Sequence, residues 1–551
     1  MNFRSKTISS LEKVFCDEAL CAEEMDKATA LCGEVYSFQV ACWCDSKIDA
    51  EIEVVSELHE LITIRKVEYV PSLLPAGISV PGQVLRTTPG LYPDPLCKIV
   101  SKVRILQQQW QALWVTVSIP ENFPAGNYPV EIRFKHDGEL VAEALKLNAA
   151  EVFELKILPL SLPPQKLIHT QWFHTDCIYT YYNVPCWSEK HWELIEKYIA
   201  SAVEHGINMI LTPLWTPPLD TAVGGERPTV QLLKIEKHGE QYRFDFTLLE
   251  RWIEICLRRG VEYLEMAHFF TQWGSKFTPK IIVSENGEEK KLFGWHVAAE
   301  SAEYKKFLTQ LIPALTGLLE RKGLKDKCFF HVSDEPNIDN IENYRQAATL
   351  IEQLLGKGWS IIDALSNIAF YNSGIVKRPI PSSNHIENFV ENNVKPLWTY
   401  YCISQQELVS NRFLNFSSAR NRIMGILMYK YDIAGFLHWG FNFWYSQYSI
   451  DQKLDPYKDP EAGRGFCAGD AFMVYPGEDG PVDSIHYEVF REALQDLRAL
   501  RLLESAIGRD AVIGMLEENL DRELKMADYP SEASWLLKMR EQINLKLSEV
   551  L

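Results

Sequence analysis

The sequence lacks the features that mark several protein classes. Its 551 residues contain no uninterrupted apolar run of about 18 residues, so a membrane-spanning helix is not expected. Basic residues are in deficit: 56 Lys and Arg face 74 Asp and Glu, which gives a net charge of −18. That balance argues against a nucleic-acid partner, because phosphate binding needs clustered cations. Low-complexity segments and repeats of fixed period are also missing.

Metal-binding and export signals are missing too. The 12 cysteines include no Cys-x-x-Cys pair and no histidine partners at zinc spacing. The first 20 residues carry Glu12, Asp17 and Glu18 and have no apolar segment of the kind that directs secretion. We therefore expect a cytoplasmic protein with reduced thiols, without a bound metal or other cofactor.

The composition that remains is that of a globular protein with two or three domains. Hydrophobic residues make up 46% and charged residues 24% of the chain. The 15 Trp, 23 Tyr and 26 Phe are compatible with stacking on sugar rings, although most aromatic side chains belong to hydrophobic cores. An acidic protein of this kind suits a neutral substrate.

The first third of the chain shows short alternating runs of apolar and polar residues, separated by turn residues. This pattern predicts antiparallel strands, and a β-sandwich is the simplest arrangement for residues 1–163. A proline cluster at 159–164 predicts a rigid exit from this domain. The predicted strands are 36–44, 50–55, 61–67, 112–119, 128–134 and 153–158.

After residue 166, strand and helix patterns alternate, which predicts a (β/α)8 barrel as the catalytic domain, residues 164–505. A doubly wound open sheet is the alternative, but it predicts a glycine-rich phosphate loop after the first strand, and Phe173-His-Thr-Asp176 is not one. Residues 506–551 are predicted to form a C-terminal helical extension. The eight predicted strands are 167–173, 208–212, 262–267, 328–332, 361–365, 397–401, 434–438 and 471–475, and helices are predicted at 189–204, 248–259, 302–321 and 341–355.

Polar and aromatic residues follow most of these strands. In a barrel, the carboxyl ends of the strands form the active site. Asp334 and Glu335 follow the fourth strand and are the candidate catalytic residues. The candidate substrate-binding residues at or near the ends of the other strands are His174, Asp176, Asp220, His268, Trp273, Tyr400, Tyr401, His438, Trp439, Trp444, Asp470 and Tyr475.

Structural roles compete with each of these assignments. Asp334 is compatible with an N-cap of the next helix, with Pro336 in its first turn. Asp220 is compatible with a turn residue that follows two prolines. The three histidines are compatible with core positions, and Trp439 and Trp444 with packing of the barrel helices.

The adjacency of Asp334 and Glu335 suggests a specific chemistry. Adjacent acids repel each other unless one stays protonated. They cannot easily stand on opposite sides of a glycosidic bond, as the two carboxyls of ordinary retaining enzymes do. They can serve a substrate whose 2-acetamido oxygen is the nucleophile. Asp334 would then orient the amide, and Glu335 would protonate the leaving oxygen and later deprotonate water. Pro336 predicts an extended backbone at Glu335.

Nine short segments of the chain form a recognisable set. They are Tyr69-Val-Pro-Ser72, Gly90-Leu-Tyr-Pro-Asp94, Phe173-His-Thr-Asp176, Thr216-Pro-Pro-Leu-Asp-Thr221, Gly225-Glu-Arg-Pro-Thr229, Gln272-Trp-Gly274, His331-Val-Ser-Asp-Glu-Pro336, Gly435-Phe-Leu-His-Trp439 and Gly469-Asp-Ala-Phe-Met-Val-Tyr-Pro-Gly477. Together they resemble glycoside hydrolase family 123, a group of β-N-acetylgalactosaminidases and uncharacterised relatives, and the resemblance extends from about Tyr36 to Leu503. It implies an N-terminal β-sandwich, a (β/α)8 catalytic domain and a substrate-assisted mechanism, with the family's Asp-Glu pair at Asp334 and Glu335.

Two other functions remain open at this point. One is a glycosidase for sugars without an acetamido group, in which one acid of the pair works with Asp176, Asp220 or Asp470. The other is a carbohydrate-binding protein without catalysis. In each case the expected partner is a carbohydrate, and we expect neither a nucleic-acid partner nor a membrane span. The sequence does not determine the oligomeric state, and a homo-oligomer is compatible with it.

Overall fold

A computed structural model describes residues 1–76, 84–136, 139–140 and 151–551. An all-β region comes first, and a region of parallel strands and helices follows. None of the helices among these residues combines the length and apolar character needed to cross a bilayer.

The all-β region contains two sheets. The first is antiparallel with the strand order β1-β3-β8-β5-β6, and the second has the order β2-β11-β9-β4-β7, with β10 paired to β9. Only the β2–β11 pair of these ladders is parallel. The strands are β1 Phe3–Ser9, β2 Lys27–Cys32, β3 Val35–Cys44, β4 Ile48–Val55, β5 Ile62–Ser72, β6 Gly90–Lys98, β7 Val103–Ile105, β8 Trp110–Ser118, β9 Gly126–His136, β10 Glu139–Leu140 and β11 Glu151–Ser161.

Alternation of apolar and polar residues explains how these strands pack. In β11, Phe153, Leu155 and Ile157 are buried, whereas Glu154 and Lys156 between them are exposed. The buried side chains of both sheets form one hydrophobic cluster. All six strands predicted for this region are confirmed.

The second region is built around a curled parallel sheet. Its seven strands have the order β20-β19-β16-β13-β12-β24-β23. Strand β19, which lies next to the edge strand β20, is a continuous buried apolar run, which is typical of parallel strands covered on both faces. The strands are β12 Ile168–Gln171, β13 Met209–Thr212, β16 Tyr263–Met266, β19 Cys328–Phe330, β20 Ser360–Ile361, β23 Leu397–Tyr400 and β24 Ile433–His438.

Further parallel pairings lie beyond the two edge strands of this sheet. Strand β21 (Asp363–Ala364) continues β20 and pairs in parallel with β22 (Pro379–Ile380). A parallel bridge joins Ser382 to Tyr400 of β23, and the Tyr400 amide donates to the Pro381 carbonyl at 3.1 Å. A separate sheet of β14 Lys234–His238, β15 Gln241–Asp245, β17 Ile281–Glu285 and β18 Glu288–Phe293 is inserted after β13 and β16.

One predicted strand of the parallel sheet is wrong. Seven of the eight predicted strands coincide with strands of this sheet, but 471–475 does not join it. Instead, β25 (Val474–Pro476) pairs with β26 (Pro481–Asp483) in an antiparallel hairpin. An apolar run predicts that a segment is buried, but it does not predict which strand the segment pairs with, and this explains the error. Strand β22 was missed because two residues beginning with a proline give no periodic signal.

Helices connect the strands and complete the C-terminal part. The four predicted helices are confirmed to within a residue. In α3, Leu249, Trp252, Ile253 and Cys256 lie at helical spacing and are buried. The helices are α1 Thr175–Tyr181, α2 Glu189–Glu204, α3 Thr247–Arg258, α4 Ala302–Arg321, α5 Ile341–Leu355, α6 Ala369–Asn372, α7 Ile386–Glu391, α8 Ser418–Arg422, α9 Met424–Lys430, α10 Ile485–Ile507, α11 Arg509–Glu517 and α12 Ala533–Val550.

Buried ion pairs join the all-β region to the C-terminal helices. Arg540 of α12 contacts Glu34 at 2.7 Å and Asp496 of α10 at 2.9 Å. Arg422 of α8 also contacts Asp496, at 2.7 Å. Because buried charges are stable only when they are paired, these contacts favour a single relative placement of the β region and the helices.

Candidate active site

The two candidate catalytic acids lie just beyond the carboxyl end of β19. Asp334 and Glu335 are both half-buried, whereas His331, Val332 and Ser333 before them are fully buried. The chain therefore reaches the surface of the sheet edge at the pair. Both residues are therefore partly accessible, which a substrate requires.

The backbone at Glu335 differs from the expected extended conformation. Its φ is +42°, in the left-handed region that non-glycine residues rarely adopt. Side chains of consecutive extended residues point to opposite faces, so a change of conformation here allows neighbouring carboxyls to share one opening. The prediction from Pro336 is wrong because tertiary contacts override the local preference. Strain of this kind costs about 1–3 kcal/mol and is typical of functional sites.

Neighbouring loops hold this strained backbone. The Trp273 amide donates to the Asp334 carbonyl at 2.8 Å, and the Glu335 amide donates to the Ala364 carbonyl at 3.1 Å. Asp334 does not cap a helix: the helical turn and the helix that follow begin after Asn337 and Asn340. The N-cap alternative for Asp334 is therefore wrong.

The pair is electrostatically coupled. Burial and the adjacent Glu335 raise the pKa of Asp334 well above its usual value, and His331 opposes this shift. Burial also raises the pKa of Glu335, against a hydrogen bond from Tyr400. One proton is therefore readily retained by the pair, as acid catalysis requires.

Tyr400 is the direct partner of Glu335. Its hydroxyl donates to the Glu335 carboxylate, and Tyr400 is almost fully buried at the end of β23. This donor stabilises the ionised form of Glu335 and moderates the effect of burial. The structure thus brings two predicted substrate-binding residues into contact with the catalytic pair: Tyr400 through its hydroxyl and Trp273 through its backbone amide.

Strained loops form one wall of the opening. Asp220, Trp273 and Tyr448 all have positive φ, at +42°, +60° and +60°. The Tyr448 amide donates to Asp220 Oδ2 at 2.9 Å, and the rings of Trp273 and Tyr448 are 5.8 Å apart and perpendicular. Gly274 has φ +129°, and a Cβ there would meet Asn340 at 2.7 Å, so only glycine fits after Trp273. Trp273 remains 39% exposed, so its face is available for stacking.

The pKa of Asp220 lies well above the usual value for an aspartate. Burial raises its pKa to about 6, against the Tyr448 amide and the Arg227 charge. Its amide donates to Gln272 Oε1 at 2.5 Å, and its carbonyl accepts from Ser449. The turn role considered for Asp220 and a role in the site therefore coexist.

Asp470 provides another carboxylate, next to Trp439 at the end of β24. Asp470 is fully buried, its Oδ2 accepts from Trp439 Nε1 at 3.0 Å, and its Oδ1 has no hydrogen-bond partner among the described residues. Burial raises the pKa of Asp470 to about 7, although the nearby Arg412 lowers it. His438 Nε2 is 3.5 Å from Asp470 Oδ1.

Arg412 orients this second carboxylate. Its guanidinium donates to the Gly440 and Asp470 carbonyls at 2.7 Å each and to His438 Nδ1 at 2.9 Å. It is fully buried, so these bonds bind together the two loops that carry Trp439 and Asp470.

His174 and Asp176 are brought near the site but not into the opening. Arg227 binds both Asp176 oxygens, at 3.0 and 2.7 Å, and donates to His174 Nδ1 at 3.0 Å. His174 Nε2 is 2.8 Å from the Trp439 carbonyl, and Arg227 also donates to the Leu219 carbonyl. Because these contacts occupy their polar atoms, His174 and Asp176 support the loops that carry Asp220 and Trp439. Both oxygens of Asp176 are bound to Arg227, so Asp176 is not available as a second catalytic acid.

Three other predicted substrate-binding residues pack inside the protein. The Tyr475 hydroxyl donates to Asp94 of β6 at 2.6 Å, which places it in the contact with the all-β region. Trp444 Nε1 donates to the Val474 carbonyl, and the Tyr401 hydroxyl donates to Asn421. All three are buried and their polar groups have partners within the protein, which for Trp444 agrees with the packing alternative.

His268 is buried, and neither of its ring nitrogens has a partner among the described residues. Its ring stacks on His331 at 4.1 Å with an interplanar angle of 18°. Burial and the neighbouring His331 lower the pKa of His268 well below its usual value, so it is neutral.

Sequence reasoning did not select His331, Glu265 or Asp363 as site residues. His331 lies between Glu265 of β16 and Asp363 of β21, with all three fully buried. Charged residues inside apolar strands are the signal that could have identified them. His268, His331 and Asp363 are close enough for a metal ion, but both His331 nitrogens already contact carboxylates, so this donor set does not fit a metal.

The arrangement as a whole suits acid–base chemistry on a neutral polar substrate. It offers two coupled carboxyls, a donor to one of them, exposed aromatic faces and an unpartnered buried carboxylate oxygen. Carboxylate oxygens accept sugar hydroxyls, and aromatic faces stack on sugar rings.

Comparison with known proteins agrees with this chemistry. Residues 172–503 match the family model described as glycoside hydrolase 123, catalytic domain. A family 123 glycoside hydrolase from Clostridium perfringens, studied for glycolipid glycan hydrolysis, has a similar structure. The match has 15% sequence identity and a TM-score of 0.74, and it covers 100% of this chain and 98% of that one. No curated protein sequence matches this chain.

Other solved structures are less similar to this chain. Xylanase B from Clostridium stercorarium F9 matches with 10% identity and a TM-score of 0.28, over 59% of this chain and 97% of that one. The XacCel5A structure matches with 12% identity and a TM-score of 0.33, over 60% of this chain and 99% of that one. Such low scores carry no argument about function.

Proposed function

The chain belongs to glycoside hydrolase family 123 and is a glycoside hydrolase, and from this premise we propose that it removes terminal β-linked N-acetylhexosamine, preferably N-acetylgalactosamine. The proposed mechanism retains the anomeric configuration and uses the acetamido group of the substrate as the nucleophile.

One observation carries the proposal: two adjacent, half-buried acidic residues lie just beyond the end of β19, and the charge of Glu335 acts on Asp334. Neighbouring carboxyls are poorly placed for a displacement from opposite faces of a sugar. They are well placed if both act on the same side, one on the acetamido group and the other on the leaving oxygen.

The proposed steps assign a role to each acid. Protonated Glu335 gives its proton to the leaving oxygen while the acetamido oxygen attacks the anomeric carbon. Ionised Asp334 accepts the acetamido N–H and stabilises the positive charge of the oxazolinium intermediate. Glu335 then removes a proton from a water molecule while the water oxygen bonds to the anomeric carbon. The bond from that carbon to the acetamido oxygen breaks, which restores the acetamido group and the protonated Glu335.

The remaining residues of the opening are proposed to bind the sugar. The buried Oδ1 of Asp470 has no hydrogen-bond partner among the described residues and is proposed to accept a sugar hydroxyl, and Trp439 holds that carboxylate in place. Trp273 offers an exposed ring beside Asp334, and Asp220 borders the same opening. His268 offers neutral ring nitrogens without protein partners.

We also propose a complete (β/α)8 barrel and an N-terminal β-sandwich as the architecture. The β21–β22 pairing and the Ser382–Tyr400 bridge support closure between the sheet edges. The hydrophobic cluster shared by the two N-terminal sheets supports the sandwich. Glycolipid glycans are included among the proposed substrates because the Clostridium perfringens relative was studied on them.

A substrate panel tests the proposal. We expect release of sugar from chromogenic β-N-acetylgalactosaminide, weaker release from β-N-acetylglucosaminide, and none from the corresponding glycosides without an acetamido group. A thiazoline mimic of the cyclic intermediate should inhibit. Turnover of non-acetamido glycosides without thiazoline inhibition would instead favour one acid of the pair acting with Asp220 or Asp470.

The Tyr400→Phe variant should change the pH dependence. The hydroxyl of Tyr400 lowers the pKa of Glu335, so its removal raises that pKa. Because Glu335 must be protonated to start the reaction, the basic limb of the kcat/KM profile should move to higher pH by about one unit or less. A basic limb that stays in place, measured on the same substrate, would contradict the role of Tyr400.

A further inference from the structure

A buried chain of charged groups immediately precedes the catalytic pair. His331 Nε2 is 2.6 Å from Glu265 Oε1, and His331 Nδ1 is 3.2 Å from Asp363 Oδ1. All three side chains are fully inaccessible to solvent. They come from three neighbouring parallel segments, β16, the end of β19 and β21.

The geometry determines the protonation of His331. Ionised carboxylate oxygens only accept hydrogen bonds, and a neutral imidazole donates from one nitrogen only. Both contacts are favourable together only when both ring nitrogens carry a proton. Burial alone would lower the pKa of His331, but the two carboxylates raise it to about 9.

Other donors hold both carboxylates in place. Glu265 accepts from Trp172 Nε1 at 2.8 Å and from Thr170 Oγ1 at 2.5 Å. Asp363 accepts from the Tyr344 hydroxyl and from the Val332 amide, which lies at 3.1 Å. The imidazolium is therefore clamped, and its position relative to the following residues is constant.

We propose that the His331 imidazolium, clamped between Glu265 and Asp363, is a positioning residue whose charge favours the ionised form of Asp334 against burial and the adjacent Glu335. This inference rests on the proposed function, because only the acetamido mechanism requires Asp334 ionised while Glu335 holds the proton.

Mostly negative groups surround Asp334, so the positive charge of His331 has a distinct effect on its ionisation. The groups that act on it are Glu335, His331, Asp363 and Asp220, and His331 is the only positive one. Burial and the charge of Glu335 raise the pKa of Asp334. Among these groups, His331 is the one that lowers it. The stacked His268 is neutral and adds no charge.

His331→Gln is the direct test. Its amide keeps the polar character of the site but removes the charge, so the pKa of Asp334 should rise. Asp334 must be ionised, so the acidic limb of kcat/KM should move to higher pH by about one unit or more. Glu265→Gln weakens the clamp and should move the same limb in the same direction by less.

His205→Gln is the matched control. His205 is another buried histidine near a carboxylate, 3.5 Å from Glu488, but it packs against α10 and not against the pair. Its loss should lower the melting temperature without moving the acidic limb. If His331→Gln lowers the rate at every pH and leaves the limb where it is, the role is merely structural and the proposal is overturned.

A measurement on the resting enzyme separates this inference from the proposed function. Histidine-labelled NMR, with His331→Gln for assignment, reports whether the His331 ring is doubly protonated at pH 7. A doubly protonated ring supports the clamp, and a neutral ring overturns it, whatever the substrate is. A wild-type enzyme inactive on the whole N-acetylhexosaminide panel would overturn the proposed function without affecting this readout.

Discussion

The Glu335→Ala variant should lose about 10²–10⁴-fold in kcat on a β-N-acetylgalactosaminide with a poor leaving group. Such a leaving oxygen needs a proton, and the variant has no donor at that position. On an activated aryl glycoside the first step needs little protonation, so the loss should be smaller there. The second step still lacks its base, and the cyclic intermediate should accumulate.

Chemical rescue makes this expectation specific. Azide attacks the intermediate without a general base, so added azide should restore turnover of the activated substrate and give the β-linked glycosyl azide. The variant should still bind the thiazoline mimic, because Asp334 is intact, and this checks that the site is folded. An equal loss on both leaving groups, without azide product, would exclude Glu335 as the acid and base.

The Asp334→Asn variant should lose about 10²–10³-fold in kcat, a magnitude typical for a group that stabilises transition-state charge. The amide that replaces the carboxylate cannot balance the positive charge that forms on the acetamido nitrogen. Formation of the intermediate should therefore be slowed with good and poor leaving groups alike, and azide should give no rescue.

Inhibitor binding distinguishes the two variants. Asp334→Asn should bind the thiazoline mimic poorly, whereas Glu335→Ala should retain it. Circular dichroism and thermal melting serve as controls for folding. Near wild-type rates for Asp334→Asn on a confirmed substrate would remove the acetamido mechanism and favour a different pair of acids, with Asp220 or Asp470 as the partner.

Much of the fold could be predicted from local pattern. The alternation in 153–158 predicts a strand with one buried face, and the continuous apolar run at 328–330 predicts a strand buried on both faces. Helix ends were also accurate, as for α4, where Ser301 caps the first turn by accepting from the Tyr304 amide. The pairing of strands was less accessible: 471–475 is apolar and buried but lies outside the parallel sheet.

The candidate site was only partly predictable. The position of Asp334 and Glu335 after a buried strand, and that of Tyr400 after another, place them at one edge of a parallel sheet. The same rule also selected Tyr475 and Trp444, whose polar groups are satisfied inside the protein. A residue after a strand can face the opening or the packing behind it, and the sequence does not distinguish these two cases.

The sequence by itself determined most strands of the two main regions, four of the helices and the presence of two adjacent acids at a strand end, since all of these are encoded by residues close together in the chain. Only the tertiary structure decided the left-handed conformation of Glu335, its contact with Tyr400, and the Glu265–His331–Asp363 clamp. Those contacts join residues 32–66 positions apart. Their energies depend on burial and on distances between different strands, and these quantities exist only once the chain has folded.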